Sequence, residues 1–190
     1  RGYSGARVDR IARRARVNKA MLYYHFGSKQ TLYRTLLGQI FQAAAARLRT
    51  VADDPALTPE RKVEGLVTAF AAFIAEYAYF PTIMLREVAD GGTHLDKATL
   101  EAMASLPAIV GQVVHDGAAS GVFRRVHPVM AYFTICAPIV LYLGGAPIRR
   151  ALSTHQLVNL SGLSPDVFVR QLQESVRLAL LAPTHATHSS

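Results

Sequence analysis

One cysteine, Cys136, occurs among 190 residues. It cannot form an intramolecular disulfide, and no zinc site can be assembled from thiolates. So thiol-poor a chain fits a reducing cytoplasm, which is the expected compartment. Charged residues are also scarce, at 18% against 51% hydrophobic. That balance supports a real core and excludes a disordered chain. Alternating runs bounded by turn pairs are nearly absent, whereas 3.6-residue periodicity recurs throughout, so an all-α fold is expected. There is no signal-peptide pattern at the N-terminus. Ser, His and Asp all occur, but neither a nucleophile elbow nor a Gly-rich phosphate cradle accompanies them. Hence no catalytic residue and no cofactor is expected. Seven histidines are scattered; His185 and His188 lie i, i+3 in the tail, and no metal site is expected.

Acidic side chains are missing from one region in particular. Residues 1–49 hold eleven Lys or Arg (Arg1, Arg7, Arg10, Arg13, Arg14, Arg16, Lys19, Lys29, Arg34, Arg47, Arg49) and a single acid, Asp9. The formal charge is +10 there and −2 over the remaining 141 residues. The pattern suits a polyanion-binding module attached to a near-neutral body, with a merely solvated basic surface as the bland alternative.

Pro128 to Ile148 is uncharged and long enough to span a bilayer. Pro138 breaks its middle, and Gly144, Gly145 and Pro147 end it, so a buried or interface helix is expected and no membrane. Helices are predicted over 6–13, 19–25 (capped by Asn18), 29–51 (capped by Ser28), 59 to just before Pro81, 82–89, 95–119 with a break at Pro107, 128–143 with a kink at Pro138, and 165–181. Thr58-Pro59-Glu60 and Ser164-Pro165-Asp166 read as helix starts. The charge change and Asp53-Asp54-Pro55 place a boundary near residue 52. The division is then 1–52, 53–182, and a tail, 183–190, that should fray.

The chemistry concentrates near the amino end. Val8, Ile11, Ala12 and Ala15 fall on one arc of a helix, and Arg7, Arg10, Arg13 and Arg14 on the opposite arc. After a break at Arg16-Val17-Asn18, Leu22 and Phe26 stand at i, i+4 for packing, leaving Lys19, Tyr23 and Tyr24 outward. Two short helices, a tight turn and a basic outer face describe a helix-turn-helix. Such a helix fits the major groove of double-stranded DNA, cations release counterions from phosphates, and Tyr hydroxyls bond phosphate oxygens.

Gly2-Tyr3, Val8, Ile11-Ala12, Ala15, Val17, the run Leu22-Tyr23-Tyr24-His25-Phe26, Ser28-Lys29 and Leu32 closely resemble the TetR family of repressors, over about residues 1–50. The resemblance implies an all-α homodimer whose second domain binds an effector that releases DNA. It implies that Asn18 to His25 is the recognition helix, that Asn18, Lys19, Ala20 and Met21 form its base-reading end, and that Tyr23, Tyr24 and Lys29 grip phosphates. His25 is a further candidate, for phosphate or for capping its helix. Departures are instructive. Arg7 stands where the family has a small or hydroxyl residue, Arg16 where it has Gly, and Ala20-Met21 where Gly-Thr or Gly-Ser is common. Arg7 and Arg16 can add phosphate contacts; Met21 can touch a thymine methyl. The family has a helix before Gly2-Tyr3, so the chain is expected to begin inside its DNA-binding domain.

In the second domain, polar tips among apolar residues suggest a cavity for a mostly hydrophobic small molecule. The candidates are Phe73, Tyr77, Met84, His115, Tyr132 and Cys136, although any one of them is more commonly an ordinary core residue. Helices 128–143 and 165–181 are the expected dimer interface, with Phe168, Leu172, Val176 and Ala179 on the stripe of the latter. Two rival readings remain: a non-specific architectural DNA binder, and a helical enzyme or scaffold with an incidental basic patch.

Overall fold

A computed structural model describes residues 2–183, and the expected fraying tail lies almost wholly outside them. The described residues form α-helices and no strand, apart from one isolated bridge between Phe123 and Leu181. The helices are α1 (Gly2–Gly5), α2 (Val8–Ala15), α3 (Lys19–Phe26), α4 (Lys29–Ala52), α5 (Pro59–Glu76), α6 (Phe80–Ala89), α7 (Lys97–Ala119), α8 (Pro128–Gly144), α9 (Ala146–Thr154) and α10 (Pro165–Leu180).

Local chemistry sets most starts. Asn18 Oδ1 accepts from the Ala20 amide at 2.9 Å, and Ser28 Oγ from the Thr31 amide at 3.0 Å. Thr58, Asp96 and Ser164 cap α5, α7 and α10 in the same way, satisfying amides that have no partner within the helix. α2 is the exception. Arg7 occupies its N-cap position in an extended conformation and makes no side-chain cap bond. Arg16 ends the same helix in the left-handed region, at φ 57°. A hydroxyl at the first position and glycine at the second would suit the backbone better.

The core is built around α4. Leu37, Ile40, Phe41, Ala44, Ala45 and Leu48 form its buried stripe, packed against α5 and α7. α5 adds Val63, Leu66, Val67, Phe70, Phe73 and Ile74; α7 adds Leu106, Val110, Val113 and Val114. Each such side chain contributes about 1.5–3 kcal/mol of burial free energy. α8 lies on α7 at close range. A Cβ on Gly111 would press into the ring of Pro128, and one on Gly117 into the ring of Phe123. α10 is pinned to α5 by Gln173, whose Nε2 donates to the Glu64 carbonyl (3.0 Å) and to Thr68 Oγ1 (2.8 Å).

Some boundaries differ from expectation. α7 runs unbroken through Pro107, because buried residues on both sides hold it against α4 and α8. α5 stops at Glu76 and the chain turns 94° into α6. Buried Phe80 drives that turn, lodged edge-on against Phe41 and Phe73 at 5.6 and 6.0 Å. The pair Gly144-Gly145 ends α8 as expected, but a new helix, α9, starts at once with Pro147 in its first turn, bent 54° from α8. No single helix among the described residues is long and apolar enough to cross a membrane.

Two stability predictions follow from these contacts. Gly117→Ala forces a buried aromatic ring to move, and is expected to cost about 1–3 kcal/mol in chemical unfolding. Arg7→Ser and Arg16→Gly are each expected to raise stability by about 1 kcal/mol, seen as a rise of roughly 2–4 °C in Tm.

Candidate nucleic-acid interface

α2 and α3 pack through few residues. Val8 and Ala12 are buried; Ile11, on the same arc, is 38% exposed. On α3, Leu22 and Phe26 are half-buried and face inward, as their i, i+4 spacing predicts, and nothing else on that helix is covered. Lys19, Ala20, Met21, Tyr23, Tyr24 and His25 are all exposed, Tyr24 at 83%. Asn18 and Arg7 are exposed at the starts of their helices. Eight of the nine candidate DNA-contacting residues therefore lie at the surface, six of them on α3.

Lys29 is the ninth and differs. It is half-buried, its ammonium 4.4 Å from the centroid of the Tyr3 ring. That contact holds α1 to the start of α4. Asp9 lies 2.6 Å from Lys19 Nζ, so the lone acid of the basic segment bridges α2 to the first residue of α3. This hydrogen bond holds the Asp9 carboxyl below its ordinary pKa and the Lys19 ammonium above its own.

A joint between this head and the body escaped the sequence reading. Tyr33 on α4 donates its hydroxyl to Glu87 Oε1 on α6 at 2.6 Å, and His94 Nδ1 lies 3.1 Å from the same oxygen. Glu87 is 2% exposed. The Tyr3 ring lies tilted against His94 (4.2 Å) and edge-on to Tyr33 (5.3 Å), and Arg34 Nε donates to the His94 carbonyl at 2.9 Å. Burial, then the bond to Glu87, pushes the Tyr33 hydroxyl well above its usual pKa. The available signal was an acid set in the apolar run of Phe80–Ala89.

The candidates for the ligand cavity divide. Phe73 stacks on Tyr77 at 4.7 Å and lies 6.3 Å from Phe70, whose ring meets Tyr132 at 6.5 Å. Cys136, one turn from Tyr132, is buried, and burial pushes its thiol up to about 11, away from redox reactivity. Met84 is half-buried at the edge of this core. His115 does not join them. It is exposed near the end of α7, beside Arg125 in a shallow groove, because the inward face of α7 there is taken by Val113, Val114 and Gly117.

The expected interface residues on α10 divide between the two faces of the helix. Val176 is fully buried within the protomer, and Phe168 and Leu172 are half-buried against the same core. The amphipathic stripe faces α5. Ala179 is exposed, together with Gln171, Ser175 and Leu178, on the opposite face. On α8, Met130 (59%), Phe133 (52%) and Leu141 (60%) are exposed at helical spacing, a second apolar face on a helix whose Ile135 and Ile139 already fill the core.

Similarity to known proteins agrees with this architecture. Residues 1–36 match the bacterial regulatory proteins of the tetR family, and residues 59–161 match a tetracyclin repressor-like C-terminal domain. The HTH-type transcriptional repressor NicS of Pseudomonas putida is 30% identical over 166 residues, covering 84% of this chain and 75% of NicS. The HTH-type transcriptional regulator RutR of Escherichia coli O157:H7 is 25% identical over 180 residues, covering 95% of this chain and 81% of RutR. A solved tetR-family regulator from Rhodococcus RHA1 superposes with a TM-score of 0.73 at 16% identity, over 95% of this chain and 90% of that one. With a helix-turn-helix head, a helical body and both halves matched, the chain belongs to the TetR family of bacterial transcriptional regulators.

Proposed function

We propose that this chain is a homodimeric repressor that leaves a palindromic operator when a small, mostly hydrophobic effector binds its body. The observation that carries the proposal is α3. It is a capped helix whose cationic and tyrosine side chains are uncovered, on a segment of formal charge +10. In the major groove, Asn18 to Met21 read base edges, while Tyr23, Tyr24 and Arg7 hold phosphates. Lys29 serves first to brace Tyr3, and its charge reaches DNA only as part of the local field. Repression is supported by the relative NicS, itself a transcriptional repressor. The working compartment is the cytoplasm, and no catalytic role is assigned.

The effector site is assigned to the cluster of Phe73, Tyr77, Met84, Tyr132 and Cys136, where Phe73 and Cys136 are buried in the body. It is mostly apolar, with two tyrosine hydroxyls and a thiol for orientation. An effector there reaches the head through α6 and the Tyr33–Glu87 bond. Dimerisation is assigned to the outer face of α8 (Met130, Phe133, Leu141), joined by the outer face of α10 around Leu178 and Ala179. A four-helix bundle across a two-fold axis covers all of these. To read a palindrome, such a dimer must hold its two copies of α3 roughly 34–36 Å apart, one DNA turn.

Two measurements check this. In fluorescence anisotropy, the protein is expected to prefer a duplex carrying the inverted repeat nearest its gene over random DNA by about 10³-fold or more. Tyr24→Ala is expected to weaken that binding at least tenfold with an unchanged far-ultraviolet spectrum, since the side chain touches little. Equal affinity for both duplexes points instead to an architectural binder. In sedimentation, Phe133→Glu is expected to convert the dimer to a folded monomer; a persisting dimer removes α8 from the interface.

A further inference from the structure

Asp9 is the one acid among the first 49 residues, and it meets the first residue of the helix proposed to read bases. We propose that Asp9 is a specificity-determining positioning residue, which holds Lys19 as a charge-compensated donor for base edges and withholds it from phosphates. The inference rests on the DNA-binding reading of α3.

The geometry is as follows. Asp9 Oδ1 takes one of the three N–H donors of the ammonium at 2.6 Å. Two donors remain, enough for a paired acceptor such as the O6 and N7 of guanine. The Tyr23 ring also faces the Lys19 ammonium, its centroid 5.8 Å from Nζ. Both partners are about half exposed, at 52% and 46%, so the bridge is open to exchange with DNA. Arg7 and Arg13, the other charges close to Asp9, have no comparable contact with its carboxylate among the described residues. Arg13 directs its Nε to the Asp9 carbonyl at 3.4 Å. Arg7, Arg10, Arg14 and Arg16 are exposed on the same part of the head and can meet phosphate.

The consequence is a division of labour. A free lysine neutralises a phosphate on any sequence and strengthens non-specific binding through counterion release. A lysine already paired with a carboxylate gains little from a phosphate. It still gains from a base edge that offers acceptors where its fixed donors point. Asp9 therefore lowers affinity for wrong sequences more than for the right one.

The test uses the full chain and two probes: a duplex enriched by the wild-type protein from a random-sequence pool, and a shuffled duplex of the same composition. Affinity is measured across a salt series for wild type, Asp9→Asn, Asp9→Glu, Lys19→Ala and the double variant Asp9→Asn with Lys19→Ala. Asp9→Asn is expected to tighten binding to the shuffled duplex roughly fivefold and to steepen the salt dependence by about 0.9 in log–log slope. The preference for the enriched duplex should fall. Asp9→Glu should keep wild-type preference, and the double variant should lose the gain. The proposal is overturned if Asp9→Asn weakens both duplexes equally with no change of slope, which marks a clamp between helices. It is also overturned if the double variant keeps the gain, which marks simple loss of a negative charge. If wild type enriches no duplex at all, the DNA-binding reading itself fails, a result distinct from either.

Discussion

One rigid helix belongs to both parts of the molecule, and everything else is placed relative to it. α4 spans 24 residues, about 36 Å. Its first turn receives α3 through the Ser28 cap; its later turns are locked by Leu37, Ile40, Phe41, Ala44, Ala45 and Leu48 between α5 and α7. A helix so packed tilts as a unit, since each buried side chain resists sliding. The direction in which α3 points is therefore fixed by the packing of the body, not by the few contacts within the head.

The joint between Tyr33, Glu87 and His94 gives that constraint a second anchor. A carboxylate 2% exposed is stable only while its partners stay in place. Moving α6 away from α4 strips the buried Glu87 carboxyl of the Tyr33 hydroxyl, and a buried polar group deprived of a partner costs about 1–3 kcal/mol. The two helices therefore move together or separate at a cost of the size needed to change a binding constant ten- to a hundredfold. A ligand that shifts α6 must either carry α4 with it or break this bond. The aromatic chain Tyr132, Phe70, Phe73 and Tyr77 ends where α5 turns into α6, close in sequence to that joint.

Much of this was legible in the sequence, and the limits have physical causes. Asn18, Ser28, Thr58 and Ser164 mark helix starts through local hydrogen bonds, so their positions could be read directly. The inward pair Leu22 and Phe26 followed from spacing alone. The α10 stripe was also visible, but periodicity reports that a face is apolar without saying what covers it. Val176 and Leu172 face their own α5, whereas the uncovered apolar face is on α8, a helix apolar all round whose outward side carries no distinctive pattern. His115 was misplaced for a related reason, because one polar residue in an apolar stretch does not reveal which side of the helix it occupies. α9 was missed because Gly144-Gly145 reads as a stop, and the first-turn Pro147 that starts a new helix was counted as part of that stop. The Tyr33–Glu87 bond joins residues 54 positions apart, and no local pattern encodes such a pairing.

The two places where the chain breaks local rules in its head have a common character. Arg7 stands where an N-cap hydroxyl would satisfy α2, and Arg16 stands in a left-handed turn that suits glycine. Each substitution sacrifices about 1 kcal/mol of local stability. Both stand in the part of the fold with the least core of its own, where α2 buries two residues and α3 none. A head this thinly packed can carry the losses because α4 anchors it to the body, and added positive charge there strengthens attraction to a polyanion in general. Unselective attraction of that kind makes a lone carboxylate on the same face, Asp9, chemically consequential.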